Sequence, residues 1–288
     1  MRATILILLT SVAFAQKPLV ELPTITPGKA PGQPPSDAVV LFDGSSMDSW
    51  TGRDKPSEGW ALVDRTLLLT AKHMNKERTG TWDLFSKQRF TDAQIHVEFA
   101  IPAMPERKSQ ARGNSGVYLQ GRYEIQVLDS YGNPTEANAS NAALYGRADP
   151  LVNASLPPEQ WQTFDIVFHP PQCGAEGKTL LPGSLTLLHN GVLVQDHTPV
   201  TPPGPCDSSP GPLRLQDHYH PHGTPIRFRN IWIRHLTARA AANARTAPGQ
   251  PQRSVISIRI QRGVARRGRS MTATTRVPVG DRSDSLGW

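Results

Sequence analysis

The 288-residue sequence contains no run of about 18 apolar residues, so no helical membrane span is expected. It also lacks an apolar helical stripe of ten residues or more, which argues against a helical core. There is no G-x-S-x-G elbow, so nucleophilic serine catalysis has little support. There is no G-x-x-x-x-G-K-[ST] or G-x-G-x-x-G phosphate loop either, which removes the common nucleotide-binding signatures. Cysteine is scarce, with only Cys173 and Cys206.

What is abundant is glycine and proline, 23 and 27 residues. Together they favour turns and short strands over long helices. The net charge of +7 suggests nucleic acid until the charge is located. Residues 237–288 hold ten arginines against Asp281 and Asp284, a local charge of +8, which leaves −1 for the remainder. A neutral body with a basic tail argues against a nucleic-acid-binding fold. The tail is rich in Ala, Arg, Ser, Thr and Gly and is expected to be disordered.

Residues 1–15 have the pattern of a signal peptide. Arg2 supplies the positive start, residues 5–12 a short apolar run, and Ala13 and Ala15 the small residues before a cleavage point at Gln16. Glutamine rather than cysteine at that point argues against a lipid anchor. The expected location is therefore outside the cytoplasm, periplasmic or secreted, with no membrane anchor. In such an oxidising compartment disulfides persist. Asn190-Gly191 lies between two apolar runs, the strongest short hairpin signal. A turn centred there brings Cys173 and Cys206 close together. A disulfide at the open end of the hairpin is expected, with two unpaired thiols as the alternative.

Residues 16–37 carry six prolines and read as a stiff, extended linker. From 38 to 236 the chain is a succession of short strand-like runs. They fall at 39–42, 60–63, 66–70, 94–101, 116–120, 123–128, 164–169, 184–189, 192–197, 213–216 and 226–235. Several alternate with period two, as Ile95, Val97 and Phe99 do against Gln94, His96 and Glu98. Such alternation marks antiparallel strands with one buried face. Short helical turns are expected near 141–144 and 156–160. The fold class is all-β: a two-sheet antiparallel β-sandwich or jelly roll over residues 38–236.

The densest polar signal is the stretch from Gly113 to Ser130. There Glu124 and Gln126 share one strand face, and Tyr118 and Gln120 share another on the preceding strand. Asp129 falls opposite Glu124 unless a bulge shifts it. Glutamate, amides and a tyrosine on one sheet face suit the floor of a wet groove that receives sugar, although an outer sheet face is polar in any sandwich. A second signal is Leu215-Gln216-Asp217-His218 followed by Phe228-Arg229-Asn230-Ile231. His218, His220 and His222 have a spacing that would suit a metal on a strand, but Pro221 and Gly223 make the segment a loop. His218 acting alone in proton transfer is the preferred reading.

These residues, together with Leu41-Phe42-Asp43-Gly44, Trp50, Asn114-Ser115-Gly116-Val117-Tyr118, Tyr123 to Asp129, Ala143-Leu144-Tyr145-Gly146, Trp161 and Asn190-Gly191, resemble the 3-keto-disaccharide hydrolase domain family. The resemblance implies a concanavalin-like jelly roll and cleavage of glycosides already oxidised at C3. Within that scheme Glu124 or His218 is the base, and Arg229 stabilises the enolate oxygen. Asn114, Tyr118, Gln126 and Gln216 orient sugar hydroxyls, with Gln120 beside them. Asp129 serves as acid or as ligand to a divalent cation, the one cofactor the scheme admits. The partner is carbohydrate. Two alternatives stay open: a non-catalytic carbohydrate-binding module, and a conventional hydrolase. The segment Glu124-Ile125-Gln126-Val127-Leu128-Asp129 is similar to the E-x-D-x-x-E strand of family 16 glycoside hydrolases. Its middle Asp is Gln and its last Glu is Asp, which weakens a two-carboxylate mechanism.

Overall fold

The computed structural model describes residues 22–52, 59–69, 82–218 and 225–236. The segment assigned to a signal peptide, the basic tail, His220 and His222 lie outside the described residues. Among the described residues there are fifteen strands, numbered along the chain. The larger sheet places side by side β13 (Val192–Val200), β12 (Gly183–His189), β9 (Trp161–His169), β6 (Ala93–Ala100), β15 (Arg227–His235), β4 (Thr66–Leu69) and β3 (Trp60–Val63). In the same sheet β1 (Val39–Phe42) also pairs with β15. The smaller sheet runs β2 (Trp50–Thr51), β5 (Leu84–Phe90), β14 (Gly211–Leu215), β7 (Ser115–Leu119), β8 (Tyr123–Val127). A separate pair, β10 (Gln172–Cys173) and β11 (Thr179–Leu181), forms a small hairpin. The pairings are antiparallel, as the period-two pattern requires, and the two sheets form a jelly-roll sandwich.

The core sits between the inner sheet faces. On β9 the residues Phe164, Ile166 and Phe168 point inward and are buried, while Thr163, Asp165 and Val167 alternate outward. Phe168 meets Phe90 of the smaller sheet edge-on at 6.4 Å between ring centres, and Tyr123 of β8 at 5.7 Å. Burial of aromatic and aliphatic side chains of this size contributes on the order of 1.5–3 kcal/mol each. On the smaller sheet, Leu84, Leu215, Val117 and Ile125 form one inward row across four strands, fully buried. Reversing the face of any of these strands would expose that row.

The sequence pattern missed β5. Its inward position Ser86 is polar and breaks the alternation. Ser86 is satisfied there because its hydroxyl donates to the Gln88 carbonyl and accepts the Leu213 N–H, across a bulge in the β5–β14 pairing. The helical turns fall elsewhere than expected: short 3-10 turns occur at Ser109–Ala111, Ala137–Ala139 and Ala175–Gly177. Among the described residues no helix is long and apolar enough to cross a membrane.

The proline-rich segment is not a free extended linker where it is described. Thr26 and Ser36 close it into a loop through reciprocal bonds of 3.0 Å. The loop is fastened to β15, where the Gly32 carbonyl accepts from Trp232 Nε1 at 2.8 Å and Asn230 Nδ2 at 2.9 Å. Gly32 has a φ of +78° and sits against the His96 ring, where a Cβ would approach within 3.1 Å.

Cys173 and Cys206 are joined by a disulfide, with Cα atoms 5.4 Å apart. The long hairpin is turned by Asn190-Gly191, both at positive φ, and His189 pairs with Val192. Two register shifts follow along β12 and β13, so the simple count does not extend to the cysteines. The approach is set instead by the β10–β11 hairpin, whose Gly177 carbonyl accepts the Cys206 N–H at 2.7 Å.

Candidate active site

The outer face of the smaller sheet carries the candidate site. The β7–β8 hairpin turns on Gln120-Gly121, with φ of +52° and +67°, the geometry of a type I′ turn. This register sets Tyr118 opposite Glu124 and Gly116 opposite Gln126. On the other flank Arg214 of β14 stands opposite both Tyr118 and Phe85. Directly paired residues share a face, so Phe85, Arg214, Tyr118 and Glu124 form one row.

Contacts within the row are close. The Arg214 guanidinium lies over the Tyr118 ring, 3.3 Å from its centre. Its Nη1 is 3.4 Å from Asp83 Oδ2. Asp83 is held in turn, since its Oδ1 accepts the Asp217 N–H at 3.0 Å, and Asp217 Oδ2 accepts the Trp82 N–H at 3.0 Å. Gln216 Nε2 donates to the Tyr118 hydroxyl at 3.0 Å. That hydroxyl hydrogen-bonds to Glu124. Gln216, Tyr118 and Glu124 thus form a directed chain that ends on the carboxylate.

Burial pushes the Glu124 carboxyl up to about 7. The Tyr118 hydrogen bond and the Arg214 charge pull it down, and the Asp83 charge pushes it up, but burial dominates. Burial also raises the Tyr118 phenol, and the Glu124 charge and hydrogen bond raise it further, so Tyr118 stays a proton donor. A carboxyl poised near neutrality beside an arginine and a protonated phenol is equipped to take and return a proton. Room for it comes from Gly116, where a Cβ would lie 2.6 Å from Glu124 Oε1 and 2.9 Å from Tyr118 Cε2.

The other expected residues divide. Gln126 lies two residues from Glu124 on the same face, and Gln110 ties it to Asn114. Gln110 Oε1 accepts from Gln126 Nε2 at 3.0 Å and from Asn114 Nδ2 at 3.1 Å. Gln126 and Asn114 therefore brace the floor beside Glu124, and Gln126 Oε1 is buried without a partner among the described residues. His218 continues the line of β14 two residues beyond Gln216 and is half-buried.

Three expectations are corrected. Gln120 does not face the groove: it is the first turn residue, buried, and donates to the Phe90 carbonyl at 3.0 Å. Asp129 does not join Glu124. β8 ends at Val127, and the buried Asp129 lies 2.7 Å from Arg112 Nε and accepts the Tyr131 N–H. Arg229 belongs to the other sheet. It pairs with Glu98 of β6 at 2.6 Å and covers Trp161 of β9, on the outer face across the core from Glu124. Packed sheets stand about 10 Å apart, so its guanidinium cannot serve that site. Sequence reasoning missed Arg214, Asp83 and Gln110. Among the described residues no group of three His, Cys, Asp or Glu side chains gathers to hold a metal.

The fold is a jelly-roll sandwich, and its known relatives make this a carbohydrate-active protein. Residues 37–234 match the 3-keto-alpha-glucoside-1,2-lyase-like domain, and the chain belongs to that family. A solved Parabacteroides distasonis ATCC 8503 protein, provisionally named a glycosyl hydrolase, is 35% identical, with a TM-score of 0.68. That match covers 77% of this chain and 94% of the other. A second protein from the same organism, with the same kind of name, has a TM-score of 0.52 at 17% identity. It covers 69% of this chain and 94% of its own, and it shares the fold. No curated protein is matched.

Proposed function

We propose that the protein is an exported enzyme that cleaves 3-keto-glycosides on the outer face of its smaller sheet. The ketone at C3 acidifies the C2 proton. Glu124 takes that proton, and the electron pair left at C2 is shared with the C3 oxygen as an enolate. Arg214, fixed by Tyr118 and Asp83, stands in the row beside Glu124 and takes over the enolate-stabilising role first given to Arg229. The electrons then return to form the C1–C2 double bond, and the C1–O bond breaks. The departing oxygen receives a proton from Tyr118 or His218. Water then adds OH at C1 and H at C2, so the sum is hydrolysis. Gln216, Gln126 and Asn114 position hydroxyls or the residues that hold them.

The observation that carries this reading is the Glu124 carboxyl at about 7, hydrogen-bonded to Tyr118 on a face shared with Arg214. Membership of a family described as 1,2-lyase-like supports elimination across C1 and C2. The disulfide supports an oxidising compartment outside the cytoplasm. The test is turnover of a 3-keto-glucoside beside its unoxidised parent. Release of the aglycone from the oxidised compound alone is expected. Sugar binding without turnover of either would make the protein a binding module, and turnover of the parent would make it a conventional hydrolase.

A further inference from the structure

A second cleft lies on the other side of the sandwich. It measures about 710 Å³, in the range of small-ligand sites, and opens on the outer face of the larger sheet. Its lining includes Trp161, Arg65, Arg227, Arg229, Asp43 and Asn230. We propose that this cleft is a second, non-catalytic site for a neutral glycan chain.

The first support is the chemistry of the wall. Trp161 is half-buried, with the Arg229 guanidinium 3.9 Å and that of Arg227 5.5 Å from its ring centre. Arg229 uses Nε on Glu98, and Arg227 uses Nη2 on Glu159 at 3.0 Å. A guanidinium has five N–H groups, so each keeps donors for a ligand. Vicinal sugar hydroxyls accept from such forks and donate to carboxylates, and Asp43 and Asp64 also line the cleft. The arginines are matched by Asp43, Asp64, Glu98 and Glu159. That balance suits an uncharged, hydroxyl-rich ligand rather than a polyanion.

The second support is a strained turn. Tight hairpin turns with two successive residues at positive φ can be compared among the described residues. Gln120-Gly121 and Asn190-Gly191 place glycine second, as a type I′ turn favours. The β3–β4 turn, between the paired Val63 and Thr66, uses Asp64-Arg65 at φ of +47° and +59°. Arginine in the left-handed region is costly where glycine would serve, and such outliers gather at ligand sites. Here Arg65 is aimed at the cleft and held there, since its Nη2 donates to the Asp43 carbonyl at 3.0 Å. Gly44 makes room for it, because a Cβ at Gly44 would meet Arg65 Cβ at 2.8 Å.

The test uses affinity electrophoresis of the full chain through gels containing soluble starch, xyloglucan, galactomannan or mixed-linkage β-glucan. Retardation by at least one polymer is expected. Arg65→Gly should weaken it at least tenfold, with an equal or higher Tm, because glycine relaxes the turn. Turnover at the opposite face should not change. Trp161→Ala should weaken binding as well. Retardation by none of the four polymers overturns the proposal. So does binding by Arg65→Gly equal to that of the unaltered protein, or retardation only by polygalacturonate run alongside. Loss of binding in Glu124→Gln with Arg65→Gly unaffected would place the glycan on the smaller sheet and also overturn it.

Discussion

Replacing Glu124 with glutamine separates its chemical role from its structural cost. The carboxyl is carried from 4.5 to about 7, chiefly by burial. Between those values the native protein retains a proton that the unfolded chain has released, so stability falls as pH rises through this window. A fully buried group moved this far would cost about 3 kcal/mol once charged. Glu124 keeps some contact with water, which reduces the figure to ~2 kcal/mol. Glutamine keeps the shape and can accept the Tyr118 hydrogen bond, but it carries no charge. Glu124→Gln should therefore be about 2 kcal/mol more stabilising at pH 8 than at pH 4, roughly 4–8 °C in Tm for a domain of this size. Turnover of the 3-keto-glucoside should fall on the order of 10²–10⁴-fold, the usual contribution of a general base. Thermal unfolding at the two pH values and initial rates supply the comparison. Equal effects on Tm at both pH values, with activity retained, would refute the account of Glu124.

Other outcomes follow from the same geometry. Tyr118→Phe removes the hydrogen bond that lowers the Glu124 carboxyl, so the rise of kcat/KM with pH, expected near 7, should move to higher pH by about one unit. An unmoved profile would mean that Tyr118 does not touch the base. Gly116→Ala places a methyl 2.6 Å from Glu124 Oε1 and should lower kcat at least tenfold with the fold intact by circular dichroism. His96 is disfavoured as a cation by burial, but the hydrogen bond its Nδ1 gives to Asp165 and the Glu98 carboxylate 3.6 Å from its Nε2 outweigh this and raise it to about 9. Its contribution is complete below pH 6.5 and lost as pH rises through 9, so denaturant titrations should show weakening over that range that His96→Asn abolishes. Removing the disulfide, which closes a separation of 33 residues, should cost about 3–4 kcal/mol in the chain-entropy picture, measured as the loss of stability in a Cys173→Ala, Cys206→Ala variant.

The local half of the site was legible in the sequence. Glu124 and Tyr118 lie on neighbouring strands joined by a tight turn, so period-two alternation sufficed to put both on an outer face. Arg214 carried the same signal, since Leu213 and Leu215 point inward on either side of it. What alternation does not say is which sheet a strand joins. Arg229 alternates just as cleanly beside Phe228, yet β15 pairs with β6, and its outer face looks away from Glu124. Asp83 was illegible for a related reason, because its partners Arg214 and Asp217 lie more than a hundred residues along the chain and meet it only through the β5–β14 pairing. Asp129 failed on a boundary: β8 stops at Val127, and beyond it strand faces no longer apply.

The central claim is that Glu124 removes the C2 proton of a 3-keto-glycoside before the C1–O bond is broken. Turnover in heavy water reports this most directly. The account predicts one deuterium at C2 of the released 3-keto sugar above an enzyme-free control, and its loss together with turnover in Glu124→Gln. Complete turnover with protium retained at C2 would contradict it.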